Sequence, residues 1–264
     1  MTAPVVLKCG GAAGVDIAAV CAQVAALWRA GTPVVLVHGG SAAVARLAAR
    51  MSVPVREFVS PSGVKARHTD DATLEVLTLA LLGEVKTALL LELHRQGVRA
   101  VGLSGADGAL LRARRKQVRA LVDGRTVVLR DDHSGMLTGV DDRMLTALLR
   151  QGLLPVVSPP AVTEDGALVN VNADRVAARV AVALGAAELV LLTAASGVLD
   201  ADGAPLPRCA LAAEGPLPAY AEGGMKVKLI AAREALLGGV PTVTVRDGRT
   251  DGAGGTGGTR VTLA

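Results

Sequence analysis

Residues 5–11 read Val-Val-Leu-Lys-Cys-Gly-Gly, and residues 34–40 read Val-Val-Leu-Val-His-Gly-Gly. Each segment is a short apolar strand that runs directly into paired glycines. Glycine permits a positive φ and lets an anion approach the backbone N–H groups, so both strand ends predict anion-binding turns. In open α/β sheets, ligands bind at the carboxyl ends of the strands. The two segments therefore predict a parallel sheet with a ligand site at one edge.

Lys8 ends the first of these strands, next to Gly10 and Gly11. A lysine there supplies a mobile point charge of the kind that holds phosphate. The second glycine pair, Gly39 and Gly40, would lie at the same edge of the sheet. This combination indicates a phosphoryl-transfer site. A solvated surface lysine is the alternative, and spacing alone does not separate the two interpretations.

Strand and helix signals alternate along the rest of the 264 residues. Helices are predicted over roughly 16–30, 41–51, 69–97, 141–151, 174–185 and 225–238, and strands over 4–9, 33–38, 98–103, 154–158, 188–192, 242–245 and 261–263. Turn residues predict hairpins around 123–124 and 164–166. The pattern predicts an α/β fold, with a mostly parallel central sheet sandwiched by helices and with projecting β-hairpins.

Composition excludes several classes of protein. The chain has 28 Lys and Arg against 24 Asp and Glu, a formal net charge of +4, and only one Trp, one Tyr and one Phe. Few aromatic residues argue against modules that stack nucleic-acid bases, and no nucleic-acid motif is present. Three scattered cysteines form neither a disulfide framework nor a metal-ligand spacing. Neither a signal peptide nor a membrane-spanning segment is predicted, so we expect a cytoplasmic protein without a membrane or nucleic-acid partner and without metal ligands of its own.

Three further segments carry candidate functional residues. Arg67 precedes the helix at 69–97, where its planar guanidinium can face a carboxylate. Asn170, Asn172 and Asp174 lie on one face of an alternating polar segment before a helix, where Asn172 or Asp174 could simply cap that helix. Lys226 and Lys228 lie near the start of the last helix, where cations are disfavoured unless they serve a ligand. A surface arginine and ordinary helix N-capping are the alternatives for the first two segments.

A run of basic residues breaks the alternation after residue 110. Its members are Arg112, Arg114, Arg115, Lys116 and Arg119. A solvated hairpin face is the ordinary interpretation of such a run. The alternative is a docking surface for an acidic partner.

Taken together, these segments resemble the amino-acid kinase family, in particular the N-acetylglutamate kinases and their relatives. The matching segments follow the family's order over essentially the whole chain, at 8–11, 38–40, 67–70, 101–108, 170–174, 191–193 and 223–228. Residues 111–116, 130–135 and 220–225 are more similar to the LysZ-type branch, which phosphorylates 2-aminoadipate attached to a small acidic carrier protein, LysW. The family usually has Asp or Asn after its Leu-Leu-Thr strand, where this chain has Ala194.

The resemblance implies an amino-acid kinase-like αβα fold and a role for each candidate residue. Lys8 and Lys228 would stabilise charge on the transferring phosphoryl group, and Asp174 would hold both lysines in position. The substrate would contact Gly39, Gly40, Arg67 and Asn170. Phosphate or nucleotide would contact Gly10, Gly11, Thr193, Gly224 and Met225. ATP would be the donor, with Mg²⁺ bound through its phosphates.

The resemblance also implies an organisation and a set of partners. Residues 1–264 would form a single domain, with the acyl-substrate and carrier side at about 1–168 and the nucleotide side at about 169–264. A LysW-like acidic carrier would dock on the basic run, where attraction between opposite charges speeds association. Family members are often homodimers, so we expect a dimer, a prediction that light scattering would test.

The expected function is ATP-dependent phosphorylation of the side-chain carboxylate of carrier-bound 2-aminoadipate, in lysine biosynthesis. The alternative is an N-acetylglutamate kinase of arginine biosynthesis, or a dual enzyme that also uses carrier-bound glutamate. A non-catalytic regulatory module that binds nucleotide or amino acid is a further alternative. It is disfavoured because a pure binder has no need for the charges of Lys8, Asp174 and Lys228 together.

Overall fold

The computed structural model describes residues 2–11, 14–61, 65–122, 124–249 and 257–264. The strands are β1 (Val5–Cys9), β2 (Val34–His38), β3 (Glu57–Val59), β4 (Lys65–Arg67), β5 (Ala100–Ser104), β6 (Leu111–Arg115), β7 (Val118–Val122), β8 (Arg125–Leu129), β9 (Gly135–Val140), β10 (Leu154–Ser158), β11 (Ala161–Val162), β12 (Leu168–Val169), β13 (Glu188–Thr193), β14 (Arg208–Leu211), β15 (Val243–Asp247) and β16 (Thr259–Leu263). The α-helices are α1 (Ile17–Arg29), α2 (Ser41–Arg50), α3 (Asp71–Thr78), α4 (Lys86–Arg95), α5 (Asp142–Arg150), α6 (Ala173–Ala183) and α7 (Gly223–Leu237).

The central sheet has eight strands in the order β14-β16-β15-β13-β1-β2-β10-β5. From β15 to β5 the neighbouring strands are parallel, whereas β16 runs antiparallel to β15, and β14 pairs parallel with β16. Every residue of β1, β2 and β10 is buried. A strand buried on both faces reads as a continuous apolar run, and this signal predicted the strands at 4–9 and 33–38.

Alternate residues of the central strands face two helical layers. Val6 and Val35 pack in a core with residues of α5, α6 and α7. Leu7 and Leu36, their neighbours along the strands, pack on the opposite face with residues of α1 and α4. The predicted fold class, a mostly parallel sheet between layers of helices, is confirmed.

The helix predicted over 69–97 is interrupted. A seven-residue π-helical segment, Leu79–Val85, separates α3 from α4. Such wide turns occur often at functional sites. This one presses against the second glycine pair, because a Cβ atom on Gly40 would overlap the side chain of Leu81. Apolar spacing along the sequence does not distinguish this segment from a regular α-helix.

Smaller sheets project from the main sheet. The strands β12-β11-β6-β9 form a four-stranded sheet, and β7 and β8 form a separate antiparallel pair. The expected hairpin at 164–166 connects β11 to β12. The expected turn at 123–124 connects β7 to β8, although Asp123 itself lies outside the described residues. Within the described ranges, no helix is long and apolar enough to cross a membrane.

Candidate active site

A cavity of about 1020 Å³ opens at the carboxyl ends of β1, β2 and β13. The sequence-predicted residues that line it are Lys8, Gly10, Gly11, Gly39, Gly40, Arg67, Asn170, Asp174, Thr193, Gly224, Met225 and Lys228. Small-molecule sites span about 300–1,000 Å³, so this cavity lies at the upper end of that range. One basic-run residue, Lys116, also lines it.

At the centre of the cavity, two lysines share one carboxylate oxygen. Lys8 Nζ and Lys228 Nζ each lie 2.9 Å from Asp174 Oδ1. The side chains are 5%, 10% and 8% exposed for Lys8, Lys228 and Asp174, respectively. Burying charge is costly unless it is paired, and here two ammonium groups face one carboxylate. The excess positive charge favours an anion in the cavity.

The pKa shifts at this cluster have opposing causes. Burial by itself raises the pKa of the Asp174 carboxyl, but the charges of Lys8 and Lys228 and their hydrogen bonds outweigh it and hold that pKa below its ordinary value. Burial lowers the pKa of Lys228, and the charge of Asp174 opposes that shift. Asp174 is therefore ionised at neutral pH and able to hold both ammonium groups.

Local structure explains how the cluster is assembled. Lys8 faces the same layer as Val6, two residues earlier in β1, and that layer contains α6 and α7. Asn172 caps α6 by accepting hydrogen bonds from the N–H groups of Asp174 and Arg175 at 2.9 and 3.2 Å. The expected capping interpretation holds for Asn172, whereas Asp174 is buried in the first turn.

The two glycine pairs touch each other. A Cβ atom on Gly11 would overlap the backbone of Gly39 and Gly40. None of the glycines at 10, 11, 39 and 40 has a positive φ, so the conformational reason expected from sequence is wrong for these positions. At Gly11, glycine is needed because the two strand ends approach too closely for any side chain. Close backbone approach leaves N–H groups accessible to an anion.

The residues expected on the acyl-substrate side lie among contacts between distant segments. Asn170 Nδ2 donates to Thr69 Oγ1 at 3.0 Å, next to the segment that carries Arg67. Thr69 N–H donates at 2.9 Å to Asp132, a carboxylate that is only 1% exposed. Asp132 also accepts from Ser134 N–H at 2.7 Å. Sequence reasoning missed Asp132, because its partner lies more than sixty residues away.

Two His–Asp contacts join residues 68–71, at the start of α3, to residues 131–133, in the loop before β9. Each segment supplies the histidine of one contact and the aspartate of the other. His68 Nε2 lies 3.0 Å from Asp131 Oδ1, and His133 Nε2 lies 2.7 Å from Asp71 Oδ1. Burial lowers the pKa of the nearby Arg67 guanidinium, and Glu57 opposes that shift.

The basic run was expected on one hairpin, but the structure divides it between two sheets. Arg112, Arg114 and Arg115 belong to β6, inside the four-stranded sheet, and Arg119 belongs to β7. Arg115 donates to the carbonyl oxygens of Asp132 and Arg130 at 2.8 and 3.1 Å. This bonding gives Arg115 a structural role. All five members are exposed, and Arg112 and Arg114, two residues apart on one strand, share a face.

The C-terminal half of the cavity carries the residues expected near nucleotide. Thr193 ends β13, and Ala194 follows it at the cavity wall. Helix α7 begins at Gly223, so Gly224 and Met225 lie in its first turn. First-turn N–H groups lack helical partners and favour anions. Tyr220, which sequence reasoning did not assign to the site, also lines the cavity.

Comparisons with known proteins find relatives along almost the full chain. A model of the amino acid kinase family matches residues 3–247. The chain is 41% identical to LysW-aminoadipate kinase of Deinococcus radiodurans, over 93% of this chain and 85% of that protein. It is 38% identical to LysW-aminoadipate kinase of Thermus thermophilus, over 94% of each. It is 36% identical to acetylglutamate kinase of Oleidesulfovibrio alaskensis, over 94% of this chain and 84% of that protein.

Solved structures share this architecture. The crystal structure of smu.665 from Streptococcus mutans superposes with a TM-score of 0.77 at 25% identity, over 99% of each chain. Giardia carbamate kinase superposes with a TM-score of 0.64 at 15% identity, over 98% of each chain. The second likeness concerns the fold alone.

Proposed function

Because this chain belongs to the amino acid kinase family, we propose that it transfers the γ-phosphoryl group of ATP to a carboxylate. The observation that carries this proposal is the contact of Lys8 and Lys228 with the single carboxylate of Asp174 at the cavity. Two cations held in place by one buried carboxylate suit a reaction that brings two anions together. A site that only bound a neutral ligand would gain nothing from this excess charge.

The proposed reaction needs no general base. An acceptor carboxylate has an unperturbed pKa near about 4.3 and is ionised at neutral pH. Its oxygen forms a bond to the γ-phosphorus while the bond from that phosphorus to the bridging oxygen of ADP breaks, giving an acyl phosphate and ADP. Lys8 and Lys228 would stabilise the charge on the transferred group, and the glycine N–H groups would help to hold it in line.

The cavity residues fit ATP as the donor. Lys8, Lys228 and the glycine turns offer positive charge and N–H donors to phosphate, while Thr193, Gly224 and Met225 lie where the nucleotide would bind. Among the described residues, no group of three or more His, Cys, Asp or Glu side chains is placed to hold a metal ion. Mg²⁺ would bind through the ATP phosphates and neutralise part of their charge.

We propose carrier-bound 2-aminoadipate as the acceptor. The proposal is supported by the names of the relatives at 41% and 38% identity. N-acetylglutamate is the alternative, supported by the relative at 36% identity. Arg67 and Asn170 would hold the acceptor, because both line the cavity. The homodimer and the division into an acyl-substrate side and a nucleotide side stay predictions.

Trapping the acyl phosphate with hydroxylamine tests this proposal. With ATP and Mg²⁺, we expect hydroxamate from LysW-linked 2-aminoadipate and none from free N-acetylglutamate. Hydroxamate from N-acetylglutamate alone would assign the enzyme to the alternative reaction. Hydroxamate from both carrier-linked aminoadipate and carrier-linked glutamate would support a dual enzyme. If no acceptor gave hydroxamate although nucleotide bound, the kinase proposal would be wrong.

The exposed face of β6 is proposed as part of the carrier-docking surface. Arg112 and Arg114 are exposed on this strand, close to Lys116 at the cavity. We expect the double substitution Arg112→Glu and Arg114→Glu to raise KM for an acidic carrier substrate by about tenfold, because charge complementarity steers association. Rising salt should raise KM for the wild type and have less effect on the variant.

Arg150→Glu is a matched control for this surface. Arg150 is an exposed arginine at the end of α5 and does not line the cavity. Its substitution should leave KM for the carrier substrate within about twofold, since single surface charges contribute little. Steady-state kinetics at two salt concentrations would measure both effects. An equal rise in KM for the two variants, or a rise in KM for ATP alone, would contradict the docking proposal.

A further inference from the structure

His38 supports the second glycine turn from the face of the sheet that lies away from Asp174. It follows Leu36 by two residues in β2, so it faces the layer of α1 and α4. The side chain is fully buried. Its Nε2 lies 2.6 Å from Ser158 Oγ, at the end of the adjacent strand β10, and its Nδ1 lies 3.0 Å from the carbonyl oxygen of Gly39. His38 is not one of the described residues that line the cavity.

The two contacts specify which ring nitrogen carries the proton. A carbonyl oxygen can only accept a hydrogen bond, so Nδ1 must donate to Gly39. Burial lowers the pKa of His38 to about 4, so the ring is neutral near pH 7. A neutral ring carries one N–H, and Nε2 therefore accepts from the hydroxyl of Ser158. One tautomer satisfies both contacts.

This hydrogen bond orients a backbone donor at the cavity. The described chain contains no cis peptide bond, so the carbonyl of Gly39 and the N–H of Gly40 point in opposite directions within one plane. Holding the carbonyl on the His38 side of the sheet directs the N–H of Gly40 to the other side, where Gly40 lines the cavity. The N–H of Gly39 donates to the carbonyl oxygen of Cys9 at 3.0 Å. The turn is thus held from both sides.

We propose that His38 is a positioning residue for phosphoryl transfer. Its Nδ1–H fixes the peptide between Gly39 and Gly40 so that the Gly40 N–H faces the transferring phosphoryl group. Ser158 holds the ring in the tautomer that makes this possible. The proposal rests on the phosphoryl-transfer function proposed above. A donor that is oriented before the reaction avoids reorganisation during it, which is how backbone N–H groups contribute to catalysis.

Two polar substitutions separate the contacts of His38. In His38→Asn, the side-chain N–H₂ can take the place of Nδ1 and still donate to Gly39. In His38→Gln, the longer side chain reaches Ser158 and leaves the Gly39 carbonyl without its donor. We expect kcat to fall at least about tenfold further in the Gln variant than in the Asn variant, because removing a single transition-state donor costs about 10²–10³ in kcat. KM for ATP should stay within twofold in both, and circular dichroism should confirm that both fold.

Equal losses in the two variants, or a larger loss in the Asn variant, would overturn the proposal. So would a change in KM for ATP with no change in kcat. The tautomer has a test that does not depend on activity. In wild-type protein labelled with ¹⁵N-histidine, NMR should find the proton of His38 on Nδ1. A proton on Nε2 would overturn the positioning role even if the enzyme is active. If the proton is on Nδ1 but the protein has no turnover, the result would count against the proposed function alone.

Discussion

The Lys228→Ala variant is expected to lose about three orders of magnitude in kcat, because it removes one of the two cations that are proposed to face the transferring phosphoryl group. Lys228 is buried beside Asp174 in α7. Lys8 still pairs with Asp174 in this variant, so the protein should fold. Hydroxamate formation under saturating ATP measures the loss.

Lys226→Ala is the matched control. Lys226 lies two residues earlier in the same helix and does not line the cavity. Its substitution should leave kcat within about twofold, as for most surface substitutions. If the Lys226 variant lost as much activity as the Lys228 variant, the effect would belong to the helix and not to the charge at the cavity. A regulatory binding module would be the better interpretation if the wild type showed no turnover and the Lys228 variant still bound nucleotide.

The Asp174→Asn variant is expected to lose both activity and stability. The amide has nearly the same shape but no charge, so two ammonium groups remain buried without a counter-charge. Breaking a buried ion pair by removing one partner costs about 3–5 kcal/mol. Urea unfolding at pH 7 should therefore give a free energy of unfolding lower by about that amount. Glu234→Gln is the control, since its pair with Arg175 also joins α6 to α7 but is partly exposed and contributes about 0–1 kcal/mol.

The difference in the free energy of unfolding between the wild type and the Asp174→Asn variant should decrease as pH falls. The charges of Lys8 and Lys228 overcome burial and hold the pKa of Asp174 below its ordinary value. A carboxyl with a depressed pKa stabilises the folded state above its unfolded pKa, near about 3.9, and loses that contribution as pH falls through the folded pKa. The gap between wild type and the Asn variant should therefore be full at pH 7 and shrink in acid. An equal difference in the free energy of unfolding at pH 7 and in acid would show that the carboxylate charge is not its source.

The sequence predicted the fold class and the family because their signals are local. Apolar strands that end in glycine, at 5–11 and 34–40, form neighbouring central strands whose ends meet at the cavity. Relatives that match nearly the whole chain confirm the family resemblance. The functional roles of the lining residues stay predictions, since their convergence on one cavity establishes proximity and not chemistry.

What sequence reasoning missed depends on contacts between distant segments. Asp132 and His38 have partners 63 and 120 residues away, and no periodicity indicates either pair. The reason for glycine at 11 and 40 also needed the structure. Gly11 lies against the other turn and Gly40 lies against Leu81, and in the sequence such close contacts look the same as a positive φ. The basic run was assigned to one hairpin because its charges lie within eight residues of sequence, although the chain changes sheets within it.

The contact between Gly11 and Gly40 has a consequence for how acceptor preference can change. No side chain separates the two strand ends, so the surface on which the phosphoryl group would move is made of main chain. Side-chain substitutions elsewhere cannot change the chemical groups of that surface. A single methyl group at Gly11 would force the two turns apart. New acceptors would therefore have to be accommodated at the periphery, around Arg67 and Asn170, while the proposed chemistry at the centre would stay the same.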